Sequence, residues 1–255
     1  MGHAWPVTLS AEERGDGPRL VLAHGFTQNG RCWGPFADRL ARAFRLVLVD
    51  APGHGRSGHD DVDLPGAGRL LGDVGGTAHY LGYSMGGRTV LHLALARPEL
   101  VRSLVLIGVT AGLDDEADRI ARRAADEELA RRLEEEPLDR FVDRWLAGPL
   151  FRDLTPATAC REERLANRAS GLAASLRHCG TGTQEPLWDR LAAIQVPVLV
   201  LAGEGDPKFR AAGERLVGAI GANARLHVQP GAGHAVHLER PGDVADLVTG
   251  FLAPA

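Results

Sequence analysis

A serine between two glycines lies where an apolar segment meets a helical pattern. The motif GYSMG, residues 82–86, follows the apolar segment AHYL and precedes the helical segment GRTVLHLALARP. Glycines at such a turn let neighbouring backbone approach closely, and the strained turn lifts the Ser84 hydroxyl out of the sheet. The N-terminus of the following helix would face any negative charge that develops there. We therefore interpret Ser84 as a candidate catalytic residue, against the alternative of a glycine-rich turn with an incidental serine.

A serine hydroxyl is a weak base and nucleophile at neutral pH, so it needs an imidazole, whose tautomer is fixed by a carboxylate. Asp206 closes the predicted strand VPVLVLAGEGD, and His234 closes the predicted strand RLHVQPGAGH. Because ligand groups in open α/β sheets gather beyond the carboxyl ends of strands, we expect Ser84, Asp206 and His234 to converge. The segment AHGF follows another strand, and there we expect the Phe26 amide to form an oxyanion site together with the Met85 amide.

Three other polar residues are alternatives that the sequence makes less attractive. His237 lies three residues beyond His234, but the turn GAGH puts His234 and not His237 at the strand exit. Asp50 also ends a predicted strand, yet it precedes Ser84 in the chain and is interpreted as structural. His24 is interpreted as a residue that orders the backbone of the loop containing Phe26, which we call the oxyanion loop.

Short apolar runs alternate with helical patterns along most of the chain, which favours an α/β fold whose mostly parallel sheet carries helices on both faces. The runs are continuous rather than alternating, as is typical of strands covered on both faces. The predicted strands cover residues 19–25, 45–55, 78–84, 101–109, 196–206 and 225–234.

The composition changes after the fourth of these strands, because β-branched runs disappear and Arg, Glu, Asp, Ala and Leu dominate. Helices fit this composition best. We predict an inserted helical lid over residues 112–188, placed on a core formed by residues 1–111 and 189–255. Inside the lid, a helix is expected to begin at Pro156 after a threonine N-cap and to stop at Gly180.

Bulk properties exclude several classes of function. The 255-residue chain has a net charge of −4, so it shows no basic excess that would indicate a nucleic-acid partner. No signal segment or 18-residue apolar run is present, which predicts a cytoplasmic protein without membrane insertion. The three cysteines are widely spaced and form no C-x-x-C pair, which indicates ordinary reduced thiols rather than a disulfide framework or a metal site.

Two basic residues stand out by position. Of the 29 basic residues, all are arginine except Lys208, which lies two positions beyond Asp206. Arg88 lies one helical turn beyond Ser84 and can face the same cavity. Fixed guanidinium groups bind carboxylates in a bidentate manner, whereas an apolar esterase pocket would not favour their charge.

The motifs HGF, DAPGHGRSG, GYSMGG, GEGD and GAGH together resemble the α/β-hydrolase superfamily over nearly the whole chain. Within it, the segments HGFTQNGRCW, GYSMGGR, EPLDRFVDRWLAGPLF, GDPKFR and GAGHAVHLERP resemble the 2-succinyl-6-hydroxy-2,4-cyclohexadiene-1-carboxylate synthases of menaquinone biosynthesis. The resemblance implies a cofactor-independent lyase that eliminates pyruvate from 2-succinyl-5-enolpyruvyl-6-hydroxy-3-cyclohexene-1-carboxylate. The Ser-His-Asp set would serve proton abstraction there instead of acyl transfer.

The same resemblance implies further site residues. Arg122, Arg168 and Lys208 would join Arg88 in holding a small substrate with several carboxylates, and Tyr83 and Trp145 would shape the pocket. For Arg122 an alternative stays open, because the segment ARRAADEELARR also fits a solvated helix in which Arg123 takes that place.

Two rival functions remain at this point. The first is another enzyme with the same triad, namely a carboxylesterase, a lactonase or a hydrolase of carbon–carbon bonds. The stretch 59–79 supports this doubt, because it is glycine-rich and short for the helix that the synthase pattern expects. The second is a member that binds ligands without catalysis, which the complete set of Ser84, Asp206 and His234 makes unattractive. The sequence leaves open a monomer or a homodimer.

Overall fold

A computed structural model describes residues 8–58 and 61–253 of the chain. Its described residues form one seven-stranded sheet in the order β1-β3-β2-β4-β5-β6-β7, in which β1 is antiparallel to β3 and the other neighbours are parallel. The strands are β1 (Ala11–Arg14), β2 (Arg19–Ala23), β3 (Arg45–Val49), β4 (Ala78–Tyr83), β5 (Val101–Ile107), β6 (Val198–Gly203) and β7 (Ala224–Gln229). The predicted α/β-hydrolase architecture with a mostly parallel sheet is confirmed.

Helices connect the parallel strands, as crossover connections between parallel strands require, and two more follow β7. The helices are α1 (Gly34–Leu40), α2 (Leu64–Gly75), α3 (Met85–Ala96), α4 (Glu116–Glu135), α5 (Leu138–Leu146), α6 (Arg161–Leu165), α7 (Ala169–Cys179), α8 (Pro207–Ile220), α9 (Val236–Glu239) and α10 (Pro241–Leu252). Short 3-10 helices cover Pro98–Leu100, Pro149–Phe151 and Trp188–Ala193. In the part of the chain that the structure describes, no helix combines the length and the apolar character that crossing a bilayer needs.

Two apolar layers cover the sheet, one on each face. Side chains alternate along β2, so that Val21 joins the layer beneath α2 and α3, whereas Leu20 and Leu22 join the layer beneath α1 and α10. Burial of both faces explains why the strands read as continuous apolar runs. The central strands are therefore held rigidly, and their carboxyl ends provide a fixed platform.

Four helices, α4 to α7, lie between β5 and β6, and we call them the lid helices. The helices α4 and α7 pack together around an apolar cluster that includes Leu133, Phe141, Leu172 and Leu176. The outer face of α4 carries mostly exposed charged residues. The division into a core and a lid at residues 112 and 188 stays a prediction.

One local expectation within this architecture was wrong. The single helix expected from Pro156 to Gly180 is broken, because residues 156–160 form turns and a second break separates α6 from α7. A tertiary contact lies at the second break, where Asn167 Nδ2 donates to the carbonyl of Thr27, 2.6 Å away. Gly180 does end α7, as expected.

The glycine-rich stretch 59–79 does contain a helix, since α2 runs for 12 residues from an Asp63 N-cap. Its glycines serve close packing on α3, because a Cβ at Gly68 would lie 3.0 Å from the amide nitrogen of Leu93. The edge strand β1 was not expected from the sequence at all. Three of its four residues, AEER, are charged, and all four are exposed or half-buried, so they lack the apolar signal of the central strands.

Candidate active site

The turn between β4 and α3 places Ser84 in a backbone conformation that few side chains adopt. Its φ is 51° and its ψ is −108°, and its amide donates to the Ile107 carbonyl at 2.8 Å. Close approach of neighbouring backbone explains the flanking glycines. A Cβ at Gly82 would lie 2.5 Å from Gly87 Cα, and a Cβ at Gly86 would lie 2.0 Å from the Ala23 carbonyl oxygen. The strained turn thus depends on glycine at both positions.

Ser84, His234 and Asp206 meet beyond the carboxyl ends of the strands. His234 Nε2 lies 3.4 Å from Ser84 Oγ, and His234 Nδ1 lies 2.8 Å from Asp206 Oδ2. His234 and Asp206 are buried, with 4% and 7% of their surfaces exposed. A short bond from Nδ1 to a carboxylate fixes the tautomer that leaves Nε2 free to accept the serine proton.

Neighbouring groups restrict both the carboxylate and the imidazole. Asp206 caps α8 through its second oxygen, Oδ1, which accepts from the Phe209 amide at 3.2 Å. The Phe209 ring lies against His234, with ring centroids 4.4 Å apart. On another side, Gly108 has φ 59°, and a Cβ there would lie 2.7 Å from His234 Cε1. The imidazole therefore has little room to turn away from Ser84.

The alternative residues occupy structural positions. His237 lies in α9, fully buried among the rings of Trp33, Phe36 and Tyr83, and burial lowers its pKa to about 3. Asp50 accepts from the Gly30 amide at 2.7 Å and from the Arg56 amide at 2.9 Å.

His24 also supports the loop fold, because its Nε2 accepts from the Ala51 amide at 3.0 Å. None of His24, Asp50 and His237 is among the described residues that line the cavity around Ser84. The geometry therefore favours His234 and Asp206 over all three alternatives.

The loop after β2 brings Phe26 beside the turn that carries Ser84. Phe26 and Met85 line the same cavity as Ser84. The loop is closed by two bonds between Gly25 and Gln28, each 3.1 Å long, one of them from the Gln28 amide and the other to its side chain. The role of the Phe26 and Met85 amides as oxyanion donors stays a prediction.

A cavity that is open to solvent lies above Ser84, and its walls are rich in cations. Both the core and the lid helices contribute basic residues to the cavity lining. These residues are Arg88, Arg122, Arg164 and Lys208. Such a lining favours a ligand with more than one negative charge.

Arg88 is the most deeply placed of these cations on the core side. It is 7% exposed, and its Nη1 donates to Gln184 Oε1 at 3.3 Å. Burial lowers the pKa of its guanidinium to about 10, so the side chain is still a cation at neutral pH. Because its bond to Gln184 is to a neutral group, Arg88 keeps its charge available for a carboxylate.

Arg122 reaches the cavity from α4 and is oriented by a buried acid. Its Nε donates to Asp126 Oδ1 at 2.8 Å, and its side chain is about two-fifths exposed. Burial raises the pKa of Asp126. Arg123, the alternative, instead pairs with Glu116 at 2.9 Å and donates to the Gly182 carbonyl, also at 2.9 Å.

One of the predicted cations lies apart from this cavity. Arg168 is exposed at the N-terminus of α7 and is not among the described residues that line the cavity. Arg164, in α6, lies there instead and is only 1% exposed. Its Nε donates to the Ala159 carbonyl at 2.8 Å, and its Nη1 bonds Thr27 Oγ1. Its Nη2 is buried without a protein partner.

Sequence reasoning missed Arg164 because the segment REERLANR offers several arginines with the same local pattern. The one available signal was the spacing of Arg164 and Asn167, which puts both on one face of a helical turn. Only the break between α6 and α7 decides which arginine turns inward.

Tyr83, Trp145 and Lys208 also line the cavity. Tyr83 is buried, which raises the pKa of its phenol. Trp145 packs edge-on against Phe26, with ring centroids 5.2 Å apart, and so joins the lid helices to the oxyanion loop. Lys208 is exposed at the rim, with its Nζ 5.6 Å from the Phe209 ring centroid.

The described residues contain no group of three or more His, Cys, Asp or Glu side chains arranged to hold a metal ion.

Comparison with known proteins then identifies the family. Residues 20–247 match the alpha/beta hydrolase family. The chain belongs to this family, and it is an enzyme of the α/β-hydrolase superfamily.

The relatives of this α/β-hydrolase point to one branch of the superfamily. A Bacillus subtilis relative is 36% identical over 250 residues, which cover 91% of this chain and 89% of the relative. The 2-succinyl-6-hydroxy-2,4-cyclohexadiene-1-carboxylate synthase of Salmonella paratyphi B is 33% identical, with 92% and 94% covered. The structure of MenH from S. aureus superposes with a TM-score of 0.88 at 29% identity, covering 95% of this chain and 97% of that one. The resemblance inferred from the motifs is confirmed.

Proposed function

We propose that this α/β-hydrolase is a cofactor-independent lyase of menaquinone biosynthesis. Its substrate would be 2-succinyl-5-enolpyruvyl-6-hydroxy-3-cyclohexene-1-carboxylate, from which it eliminates pyruvate to leave 2-succinyl-6-hydroxy-2,4-cyclohexadiene-1-carboxylate. The names of the synthase relatives support this reaction class.

One observation carries the proposal beyond the family. Arg88, Arg122 and Arg164 line the cavity that also contains Ser84 and His234. Two of these arginines are nearly fully buried, at 7% and 1% exposure. Burying guanidinium groups is costly unless a partner compensates their charge. A substrate with several carboxylates is the compensating partner, whereas a neutral ester would leave the cost in place.

The Ser-His-Asp set would act as a proton relay. Ser84 Oγ takes the acidic ring proton of the substrate while its own proton passes to His234 Nε2, and Asp206 stabilises the imidazolium that forms. The electron pair of the broken C2–H bond forms the C2=C3 double bond, the π pair of C3=C4 shifts to C4=C5, and the bond from C5 to the enolpyruvyl oxygen breaks. His234 returns its proton to the departing enolate, which becomes pyruvate.

Charge stabilisation would supply much of the rate. The negative charge that develops on the substrate spreads toward its carbonyl oxygen, where the amides of Phe26 and Met85 are the proposed donors. The arginines hold the carboxylates in a fixed pose, so that the ring proton stays within reach of Ser84. No acyl-enzyme intermediate is needed for this elimination.

A direct competition of two activities tests the proposal. Purified protein is assayed for pyruvate release from the enolpyruvyl substrate and, separately, for hydrolysis of p-nitrophenyl acetate. We expect kcat/KM for the elimination to exceed that for ester hydrolysis by at least about 10³-fold, because only the anionic substrate uses the arginines. Faster ester hydrolysis would favour a carboxylesterase or lactonase and would overturn the lyase.

A further inference from the structure

Two cysteines that are distant in sequence meet where the oxyanion loop touches the segment before α6. Cys160 Sγ lies 3.3 Å from the carbonyl oxygen of Cys32, 128 positions away along the chain. Both are free thiols. A hydrogen bond from Cys32 lowers the pKa of Cys160, whereas burial raises the pKa of Cys32 well above its usual range.

The backbone on each side of this pair is held by hydrogen bonds. We call the contact between residues 26–32 and residues 159–167 the junction. Asn29 Nδ2 donates to the Glu163 carbonyl at 2.6 Å, and Asn167 Nδ2 donates to the Thr27 carbonyl, also at 2.6 Å. Because the junction is fixed from both sides, Cys160 Sγ stays beside the backbone of Cys32 in the folded protein.

We propose that Cys32 and Cys160 form an oxidation site, at which a peroxide converts the two thiols into an intrachain disulfide. The Cys160 thiolate attacks one peroxide oxygen, the O–O bond breaks, hydroxide leaves, and Cys160 becomes a sulfenic acid. The Cys32 sulfur then attacks the Cys160 sulfur, the S–O bond breaks and water leaves. Two thiols lose two electrons in total, and the peroxide gains them.

The two cysteines suit different steps of this sequence. Cys160 is partly exposed and carries the lowered pKa, so it meets the oxidant first and supplies the thiolate. Cys32 is 1% exposed, which hides it from solvent but leaves it beside the sulfenic acid. Cys179 is buried at the end of α7, where it lines the cavity above Ser84, and burial raises its pKa to about 12, so it stays a thiol under the same conditions.

The disulfide would act on the candidate active site through the junction. Phe26 lies on one side of it, and Arg164 lies on the other. A covalent bond there would fasten the lid segment that carries Arg164 to the oxyanion loop. This contact would have to open for substrate to enter or product to leave, so the disulfide would slow turnover. This consequence rests on the proposed function.

The thiol map is read first and does not depend on activity. Reduced protein is treated with hydrogen peroxide, unfolded, alkylated with iodoacetamide and mapped by mass spectrometry. We expect one alkylated cysteine, at position 179, and a crosslinked peptide that joins Cys32 to Cys160. The matched control Cys179→Ser should give the same crosslink, and Cys160→Ser and Cys160→Ala should give none. Three alkylated cysteines, or Cys160 as a sulfinic acid without the crosslink, would overturn the oxidation site.

Stability and turnover are measured on the same samples. A bond that closes so long a loop should raise Tm by about 10 °C. Pyruvate release should fall several-fold in oxidised wild-type protein and in Cys179→Ser, recover with dithiothreitol, and stay unchanged in Cys160→Ser. Full turnover of crosslinked protein would refute the effect on the lid. Reduced protein without lyase activity would refute the proposed function instead, while the crosslinked peptide still decides the disulfide.

Discussion

The two sides of the cavity above Ser84 are built differently. On the sheet side, Ser84, Asp206 and His234 follow strand ends, and a Cβ at Gly86, beside Ser84, would lie only 2.0 Å from the Ala23 carbonyl oxygen, so the turn requires glycine there. On the lid side, Arg122 and Arg164 project from helices whose other faces carry solvated charges. The sheet side positions the proposed proton relay, and the lid side supplies positive charge.

This difference reflects what each task tolerates. Proton transfer requires heavy atoms within about 3 Å of each other, so its side chains need a rigid backbone. Electrostatic attraction falls off slowly with distance, and a long arginine reaches a carboxylate from several backbone positions. Loss of one relay member should therefore cost far more activity than loss of one lid cation.

The first prediction tests the sheet side and has the largest expected effect. Ser84→Ala should lower kcat for pyruvate release by at least about 10³-fold, because the relay loses its central oxygen. Ser175→Ala is the matched control, since Ser175 lines the same cavity but bonds Met85 Sδ at 3.5 Å instead of an imidazole. Equal losses in both variants would show that Ser84 has no special role.

The second prediction tests the lid side with a matched pair. Arg164→Met should lower kcat/KM by about 10- to 100-fold, because a charged hydrogen bond to substrate is worth about 1.5 to 3 kcal/mol. Arg168→Met should stay within about twofold of wild type, since Arg168 is exposed and outside the cavity lining. Tm is measured on both variants, because Arg164 also bonds Ala159 and Thr27. The reverse ranking would restore the assignment that the sequence favoured.

The sequence predicted the sheet side residue by residue and the lid side only by class. A strand that ends in GEGD or GAGH has one position for its functional side chain, so Asp206 and His234 could be named without coordinates. An arginine-rich helix has no such marker. Arg122 differs from Arg123 by its bond to Asp126, an i,i+4 pair within α4 that the sequence offered without marking it as the one facing the cavity. Arg164 differs from Arg168 by its place before the helix break, where Asn167 bonds Thr27, and that tertiary contact is not encoded by local sequence.

The third prediction concerns the acid sensitivity of the sheet side. His237 packs against Tyr83 with ring centroids 4.5 Å apart, and burial lowers its pKa to about 3. The unfolded chain binds a proton at this residue below about pH 6.5, and the folded protein does not do so until about pH 3. Its contribution to stability is therefore lost as pH falls through this window, at about 1.4 kcal/mol per pH unit.

The variant His237→Phe measures that contribution. Both ring nitrogens of His237 are buried without protein partners, so an apolar ring of similar size should be tolerated. Urea unfolding between pH 6 and pH 4 should give a slope of unfolding free energy against pH that is shallower than wild type by about 1.4 kcal/mol per unit. An unchanged slope would mean that His237 titrates normally in the folded protein.

The last prediction asks what holds the lid helices together, and its expected effect is the smallest. Arg177 on α7 pairs with Glu127 at 2.9 Å and with Glu134 at 2.5 Å, both on α4, but all three side chains are at least about one-third exposed. Exposed ion pairs contribute little, so Arg177→Gln should lower the unfolding free energy by less than about 1 kcal/mol. Leu172→Ala, in the buried cluster between the same helices, should cost about 3 kcal/mol. A larger loss from Arg177→Gln would mean that charge pairs and not apolar packing join α4 to α7, and high salt would then loosen the lid while leaving the sheet side intact.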